Sequence, residues 1–412
     1  MANSPRLALV ALCAAVIATT PLAIDMYLPA MPQIAERLQS DLPMVQQSLS
    51  IFLLFYGLGM LLFGPLADAI GRRPLALFGL AGFSLSSIFL STVVDEQQLL
   101  FGRALQAFCG AAATVVIPGI IRATYQEQTA KGMSYVSMVM MLAPLLAPAI
   151  GSIILIWADW RAIFLALAAY GVVMCIACWR ALPEIHASAT AALPADTAAI
   201  ADTKALSASA FKARLHNIQF FSAYATIFAT VPARPLIAMS MMASFSFFCF
   251  LTAVPFVYID YYHVNEQLFS LLFACNVVSL MAANFVNSRL VTRYGSVRLL
   301  SWALTSASMA AVGLLYCAIS AAPLWWTVLM IAPLMASLGL VATNADALIL
   351  MAFPALSGTA TAVIGTLRFG VGALAGPLLA LGADGSIVPF AALMAAGVIG
   401  IALARWWLQQ QR

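Results

Sequence analysis

Gly64-Pro65-Leu66-Ala67-Asp68-Ala69-Ile70-Gly71-Arg72-Arg73-Pro74 stands between two long apolar runs, and its reading decides the fold. Glycines permit a sharp reversal of the chain, while Asp68, Arg72 and Arg73 mark where one apolar helix leaves lipid and the next re-enters it. A second basic, glycine-containing turn occurs at Asn287-Ser288-Arg289-Leu290-Val291-Thr292-Arg293-Tyr294-Gly295-Ser296-Val297-Arg298, again between apolar runs. Two such hairpins at matching places suggest an internal duplication.

Working outward, 64% of the 412 residues are hydrophobic and 8% charged, with a mean hydropathy of +0.99. Soluble domains carry about 25% charged residues, so this composition excludes an ordinary soluble enzyme, a disordered chain and a nucleic-acid binder. Lipid is the solvent of most of the chain. Apolar runs long enough to cross it are predicted at 7–35, 44–68, 74–94, 98–122, 132–156, 160–180, 234–258, 268–288, 298–318, 324–350, 354–381 and 387–408. The predicted fold class is therefore an all-α membrane protein with twelve transmembrane helices in two pseudo-symmetric six-helix bundles, at 1–180 and 234–412. Arg6 ahead of the first run does not make it a cleaved leader, because no small-x-small site follows; it is read as a retained helix.

Residues 181–233 are too polar to span. They are read as a cytoplasmic linker whose part around Phe211-Lys212-Ala213-Arg214-Leu215-His216, on to Phe228, is either an amphipathic helix on the lipid surface or a plain connector. Arg72, Arg73, Arg122, Lys131, Arg180, Arg289, Arg293, Arg298 and Arg405 fall at one end of the predicted helices, and Arg37 and Arg161 alone at the other. Basic loops are retained on the cytoplasmic side, which places both termini there. The seven cysteines all lie in apolar stretches and are read as small hydrophobes, with no metal or disulfide framework.

Charged residues inside these runs are the candidate functional groups. Asp25 lies in a predominantly apolar helix, where low dielectric penalises the charged carboxylate and suits it to exchange a proton. Arg103 keeps its charge, and its long side chain can approach Asp25. Close approach would favour the ionised acid and separation the protonated one, which couples protonation to helix arrangement. The plainer alternative is a buried ion pair that only fixes packing. Gln106, one turn from Arg103, either contacts substrate or orients that arginine. Tyr27 and Tyr56 are candidate substrate contacts, together with Met141 and Phe245 from methionine- and phenylalanine-rich helices that can line an adaptable apolar cavity.

The opening turn resembles the signature of the major facilitator superfamily, G-x-L-a-D-r-x-G-R-[RK], with Gly64, Leu66, Asp68, Gly71, Arg72 and Arg73 in register. Ile24-Asp25-Met26-Tyr27-Leu28-Pro29-Ala30-Met31-Pro32 resembles the D-M-Y-L-P-A-x-P segment of its Bcr/CflA-type drug efflux transporters. Arg103-Ala104-Leu105-Gln106-Ala107 is similar to the family's R-x-x-Q-[GA] motif, and Trp160-Arg161-Ala162-Ile163-Phe164 to its W-R-x-x-F opening of helix six. Ala143-Pro144-Leu145-Leu146-Ala147-Pro148-Ala149-Ile150-Gly151 resembles the antiporter motif through Pro144, Pro148 and Gly151, with Ala where a second Gly often sits.

The resemblance implies the major facilitator fold, a cytoplasmic latch built from Gly64, Asp68, Gly71, Arg72 and Arg73, and proton coupling through Asp25 and Arg103. Arg368 departs from the pattern, since family members more often place an uncharged residue such as Gln there. It suggests a substrate contact favouring anions or a partner for Asp346, although depths differing by on the order of 10 Å argue against direct pairing.

None of Lys131, Lys204 and Lys212 follows a glycine, so no phosphate-cradling loop is present in the sequence. His186, His216 and His263 all fall in predicted loops, leaving no base for an intramembrane hydrolase. The expectation is a transporter and not an enzyme: efflux of small, mostly apolar antimicrobial compounds of phenicol or cationic dye type by proton antiport. The alternative is export of one metabolite, such as a nucleoside, amino acid or sugar. Expected partners are a small-molecule substrate, protons and the bilayer of a bacterial cytoplasmic membrane, with no cofactor or metal beyond the proton gradient, no nucleic acid, and a monomeric state.

Overall fold

The computed structural model describes residues 4–125, 129–182, 229–353 and 357–411, and the regular elements among them are all helical. In the first half these are α1 (Ser4–Asp25), α2 (Met31–Arg37), α3 (Leu42–Ile70), α4 (Arg72–Leu90), α5 (Glu96–Thr114), α6 (Ile117–Tyr125), α7 (Thr129–Trp157) and α8 (Arg161–Ala181). In the second half they are α9 (Arg234–Pro255), α10 (Glu266–Tyr294), α11 (Ser296–Ile319), α12 (Leu324–Ala352), α13 (Ser357–Gly372), α14 (Ala375–Leu381) and α15 (Val388–Gln410). Eleven helical stretches among the described residues are long and apolar enough to cross a membrane, and α7 contributes a further apolar segment, Leu142–Trp157. With α7 the twelve predicted crossings are all present, as an all-α membrane protein. Large apolar side chains such as Leu85, Phe101, Val312 and Leu403 are more than half exposed on the outer surface, which suits hydrocarbon and not water. The segment 211–228, read as linker or surface helix, lies outside the described residues.

Several crossings are broken where the sequence pattern suggests continuous helices. The first consists of α1 and α2 joined by a 3-10 turn at Leu28–Ala30. Pro29 and Pro32 supply no N–H, so the carbonyls of Asp25 and Leu28 lose their helical donors and the α-helix cannot run through. The fourth crossing breaks between α5 and α6 ahead of Pro118, and the eleventh between α13 and α14 ahead of Pro377. α9 ends at Pro255 and continues as a π-helical turn over Phe256–Tyr261.

Within the first half α3 and α4 pack on α5, α4 on α8, and α1 on α7; within the second, α9 packs on α12, α13 and α15, and α11 on α12 and α15. The halves meet chiefly where α3 touches α13 and α14, and where α7 touches α10. Ser50 Oγ accepts from Gly376 N at 2.8 Å, and Ser152 donates to Glu266 O at 2.8 Å beside Ser270. All four partners lie toward the ends of their crossings opposite the chain ends. These polar contacts between the halves thus lie at one face of the bundle.

The two matching hairpins share a backbone conformation. Gly71, between α3 and α4, has φ 100° and ψ 152°; Gly295, between α10 and α11, has φ 76° and ψ 153°. Only glycine adopts this region readily. Gly71→Ala and Gly295→Ala are each expected to lower stability by roughly 1–3 kcal/mol, read as reduced unfolding temperature in detergent. Gly64→Ala, where an added Cβ meets nothing within 4 Å, is expected to leave it unchanged. Equal unfolding temperatures for Gly71→Ala and wild type would refute the shared-turn account.

Candidate functional site

The break in the first crossing leaves a helix C-terminus inside the protein. α1 ends at Asp25, which is 3% exposed and makes no side-chain hydrogen bond or ion pair among the described residues. Arg103, on α5, is fully buried and donates from Nη1 to Ala23 O at 3.0 Å and to Gln106 Oε1 at 2.7 Å. Gln106 Nε2 in turn donates to Ser87 Oγ at 2.8 Å. The guanidinium lies 4.6 Å from the Tyr27 ring centroid and 4.3 Å from that of Phe52. Its Nε and Nη2 have no hydrogen-bond partner among the described residues. Arg103 therefore reaches the first crossing, yet it bonds the carbonyl two residues before Asp25 and not the carboxylate. The acid and the base occupy one neighbourhood in a separated arrangement. Gln106 orients Arg103 in this state.

Tyr27 is fully buried and shares a hydrogen bond of 2.8 Å with Ser48. Phe164 of the W-R-x-x-F segment packs on Tyr27 with centroids 5.8 Å apart, and Trp160 packs edge-on against Phe164. Tyr56 shares a 2.7 Å hydrogen bond with Thr114 and meets Phe369 of the second half edge-on at 4.7 Å. Phe369 continues to Phe248 at 5.7 Å, so aromatic rings run from the Arg103 cluster across to α9 and α13. Phe245 is buried on α9, and Met242 packs against Gly400 of α15.

The second half holds its own charged cluster. Arg368 Nη2 donates to Asp346 Oδ2 at 2.5 Å and Arg368 Nε to Ser244 Oγ at 3.1 Å, while Ser240 donates to Asp346 Oδ1 at 2.6 Å. This corrects the depth argument against direct pairing. At about 1.5 Å per residue Arg368 lies ~17 Å into α13 and Asp346 ~9 Å from the end of α12, and the long arginine stem spans the difference. Ser240 and Ser244, one turn apart on α9, carried no charge or motif and were invisible to sequence reasoning.

Arg72 Nη1 donates to Gly119 O of α6 at 2.8 Å, and Arg73 donates to Trp179 O near the C-terminus of α8. The basic turn thus ties α4 to two other helices of its own half. The side chains of Asp68 and Met141, and that of Arg122, lie outside the described residues. In α7, Gly151 approaches Met26 O so closely that any Cβ would collide, and Pro148 O accepts from Ser270 Oγ at 2.9 Å. Gly151 permits the broken part of the first crossing to sit against α7. Pro144 lies inside the same helix.

Comparison with known proteins bears on this arrangement. The model of the Major Facilitator Superfamily matches residues 12–377. The chain is 30% identical over 392 residues to the bicyclomycin resistance protein homolog of Haemophilus influenzae, covering 94% of this chain and 92% of that protein. It is 35% identical over 175 residues to the chloramphenicol resistance protein of Pseudomonas aeruginosa, covering 42% of each. The xylose transporter XylE from E. coli, in a partially occluded inward open conformation, superposes with a TM-score of 0.70 at 11% identity, over 98% of this chain and 96% of that one.

The geometry around the two arginines makes different demands. Arg103→Lys loses the two-ring stacking and one of two directed bonds, and is expected to cost about 1–3 kcal/mol of stability. Asp346→Asn and Arg368→Gln singly are each expected to cost on the order of 1–2 kcal/mol, below the fully buried value because the side chains are 25% and 34% exposed. The double variant should recover most of that loss. Thermal unfolding in detergent reads all four variants, and additive losses in the double would refute the pairing.

Proposed function

Because the chain belongs to the Major Facilitator Superfamily, as a Bcr/CflA-type member, it is a multi-pass membrane transporter, and we propose that it exports small, mostly apolar antimicrobial compounds in exchange for protons. Phenicols and cationic dyes are the compounds to try first. The observation that carries the reading is the match along nearly the whole chain to a relative named for bicyclomycin resistance, joined to a buried, unpaired Asp25 in the first crossing.

In this reading Asp25 takes up a proton when its site faces the acidic outer side and releases it to the cytoplasm, and Arg103 sets the balance. While Arg103 is held by Ala23 O and Gln106, it offers Asp25 no counter-charge. A helix movement that brings the free Nε and Nη2 to the carboxylate would favour the ionised acid and expel its proton. Tyr27, Tyr56, Gln106, Met141, Phe245 and Arg368 are the proposed substrate contacts. The bundles at 1–180 and 234–412 rock about them, with Gly64, Asp68, Gly71, Arg72 and Arg73 latching the cytoplasmic face, and Pro144, Pro148 and Gly151 shaping the opposite one. The protein works as a monomer in the bacterial cytoplasmic membrane, with both termini cytoplasmic, and needs no cofactor beyond the proton gradient. A metabolite exporter is the second reading, favoured by the charged Arg368–Asp346 pair, which a purely apolar cargo would not use.

Inverted vesicles carrying a preformed pH gradient test the coupling. Adding chloramphenicol is expected to collapse the gradient with wild type and not with Asp25→Asn. Equal collapse with both would overturn the role of Asp25, and collapse with neither would overturn proton-coupled export of this compound.

A further inference from the structure

The Arg368–Asp346 pair differs from the other charges in the crossings. It joins α12 and α13 within the second half, and its two side chains remain 34% and 25% exposed although both belong to membrane crossings. Two serines of α9, Ser240 and Ser244, each bond one member. Phe369 stands next to Arg368 in sequence and forms an aromatic wall with Phe248 and Tyr56. Beside Gly370 an added Cβ would meet nothing within 4 Å, so there is open space on this stretch of α13. The contacts of Ser50 with Gly376 and of Ser152 with Glu266 close the halves on the far side.

We propose that Arg368 and Asp346 form a binding site for a zwitterion: Arg368 takes the ligand's carboxylate, Asp346 its ammonium group, and the Phe369–Phe248–Tyr56 wall its apolar or aromatic arm. The proposal rests on the reading of the chain as an exporter of small molecules, and it favours a zwitterionic metabolite over the cationic dyes as cargo of this site. Its physical basis is exchange. A ligand with one charge that breaks the pair leaves the opposite protein charge without a partner, and stranding a charge away from water is costly. A zwitterion replaces both partners at once, so neither Arg368 nor Asp346 is left alone, and Ser240 and Ser244 keep each in place. The pair therefore selects against lone anions and lone cations of the same size by the same rule. In the resting protein the two residues satisfy each other, which lets them stay in the membrane without cargo.

The test uses three ligands of one scaffold at pH 7: L-phenylalanine, its N-acetyl derivative as the anion, and 2-phenylethylamine as the cation. Binding to the purified full-length protein is measured by isothermal titration, which needs no proton gradient. Wild type is expected to bind phenylalanine about tenfold or more tighter than either of the other two. The double variant Asp346→Asn/Arg368→Gln, which strands no charge and so should fold, is expected to lose the preference. Alike binding of the three ligands by wild type, no binding of phenylalanine, or a preference that survives in the double variant would each overturn the proposal. Chloramphenicol-driven gradient collapse is read in parallel. Its persistence without zwitterion preference sinks only the present inference, whereas its absence with the preference intact sinks only the export of that drug.

Discussion

The hydrogen bond from Arg103 to the carbonyl of Ala23 is the contact on which the first half is organised. A fully buried guanidinium with no carboxylate on it is costly, and the chain meets that cost with dipoles and rings. The break forced by Pro29 and Pro32 gives α1 a C-terminus in the protein interior, and the partial negative charge of a helix C-terminus is directed at the arginine. Tyr27 and Phe52 present their faces to the same cation, each contact contributing on the order of 1–2 kcal/mol when desolvated. Gly151 is needed because only a side chain reduced to hydrogen lets α7 reach the Met26 carbonyl in the broken stretch. Proline, glycine, tyrosine and arginine, far apart in the sequence, thus solve one electrostatic problem, and solving it without Asp25 leaves the acid free.

Each half carries one acid and one base away from the ends of its crossings, and the halves use them in opposite ways. Asp25 and Arg103 are apart, so the charge of the first half changes with the proton on Asp25. Asp346 and Arg368 are joined, so the pair carries no net charge, and on the proposed reading it is divided by a ligand. The two hairpins share a backbone conformation at Gly71 and Gly295, whose φ and ψ values are similar. The side-chain chemistry of the halves differs. On the proposed reading the energy-carrying step and the cargo step are separated, one in each half, and the rings of Phe52, Tyr56, Phe369 and Phe248 form a contact path between the two.

The crossings, the paired hairpins and the buried Asp25 were legible in the sequence because each depends on local composition: apolar length, a glycine beside basic residues, a lone carboxylate in an apolar run. What could not be read depends on distance in sequence. Arg72 finds Gly119 O and Arg73 finds Trp179 O, backbone acceptors that no residue type announces. The pairing of Arg368 with Asp346 was hidden because depth along a helix, reckoned from predicted ends, takes no account of a flexible side chain that reaches across more than a turn. Serines are similarly silent. Ser240, Ser244, Ser152 and Ser270 look like ordinary small packing residues until a charge or a carbonyl of another helix is beside them.

Those serines also indicate why the closed face can reopen. The polar contacts seen between the halves among the described residues are neutral: a backbone N–H on Ser50, and the hydroxyls of Ser152 and Ser270 on each other and on carbonyls. Each is worth about 0.5–1.5 kcal/mol net, so the set holds the face shut by a few kcal/mol. The bonds of Arg72 to Gly119 O, Arg73 to Trp179 O, Arg103 to Ala23 O and Arg368 to Asp346 each join helices of the same half, and hydrogen bonds to charged groups are worth about twice as much. Strong bonds inside each half and weak ones between them let the two bundles move as units. In the proposed mechanism these few kcal/mol of hydrogen bonding are of the size that a proton on Asp25 or a ligand on the second half supplies.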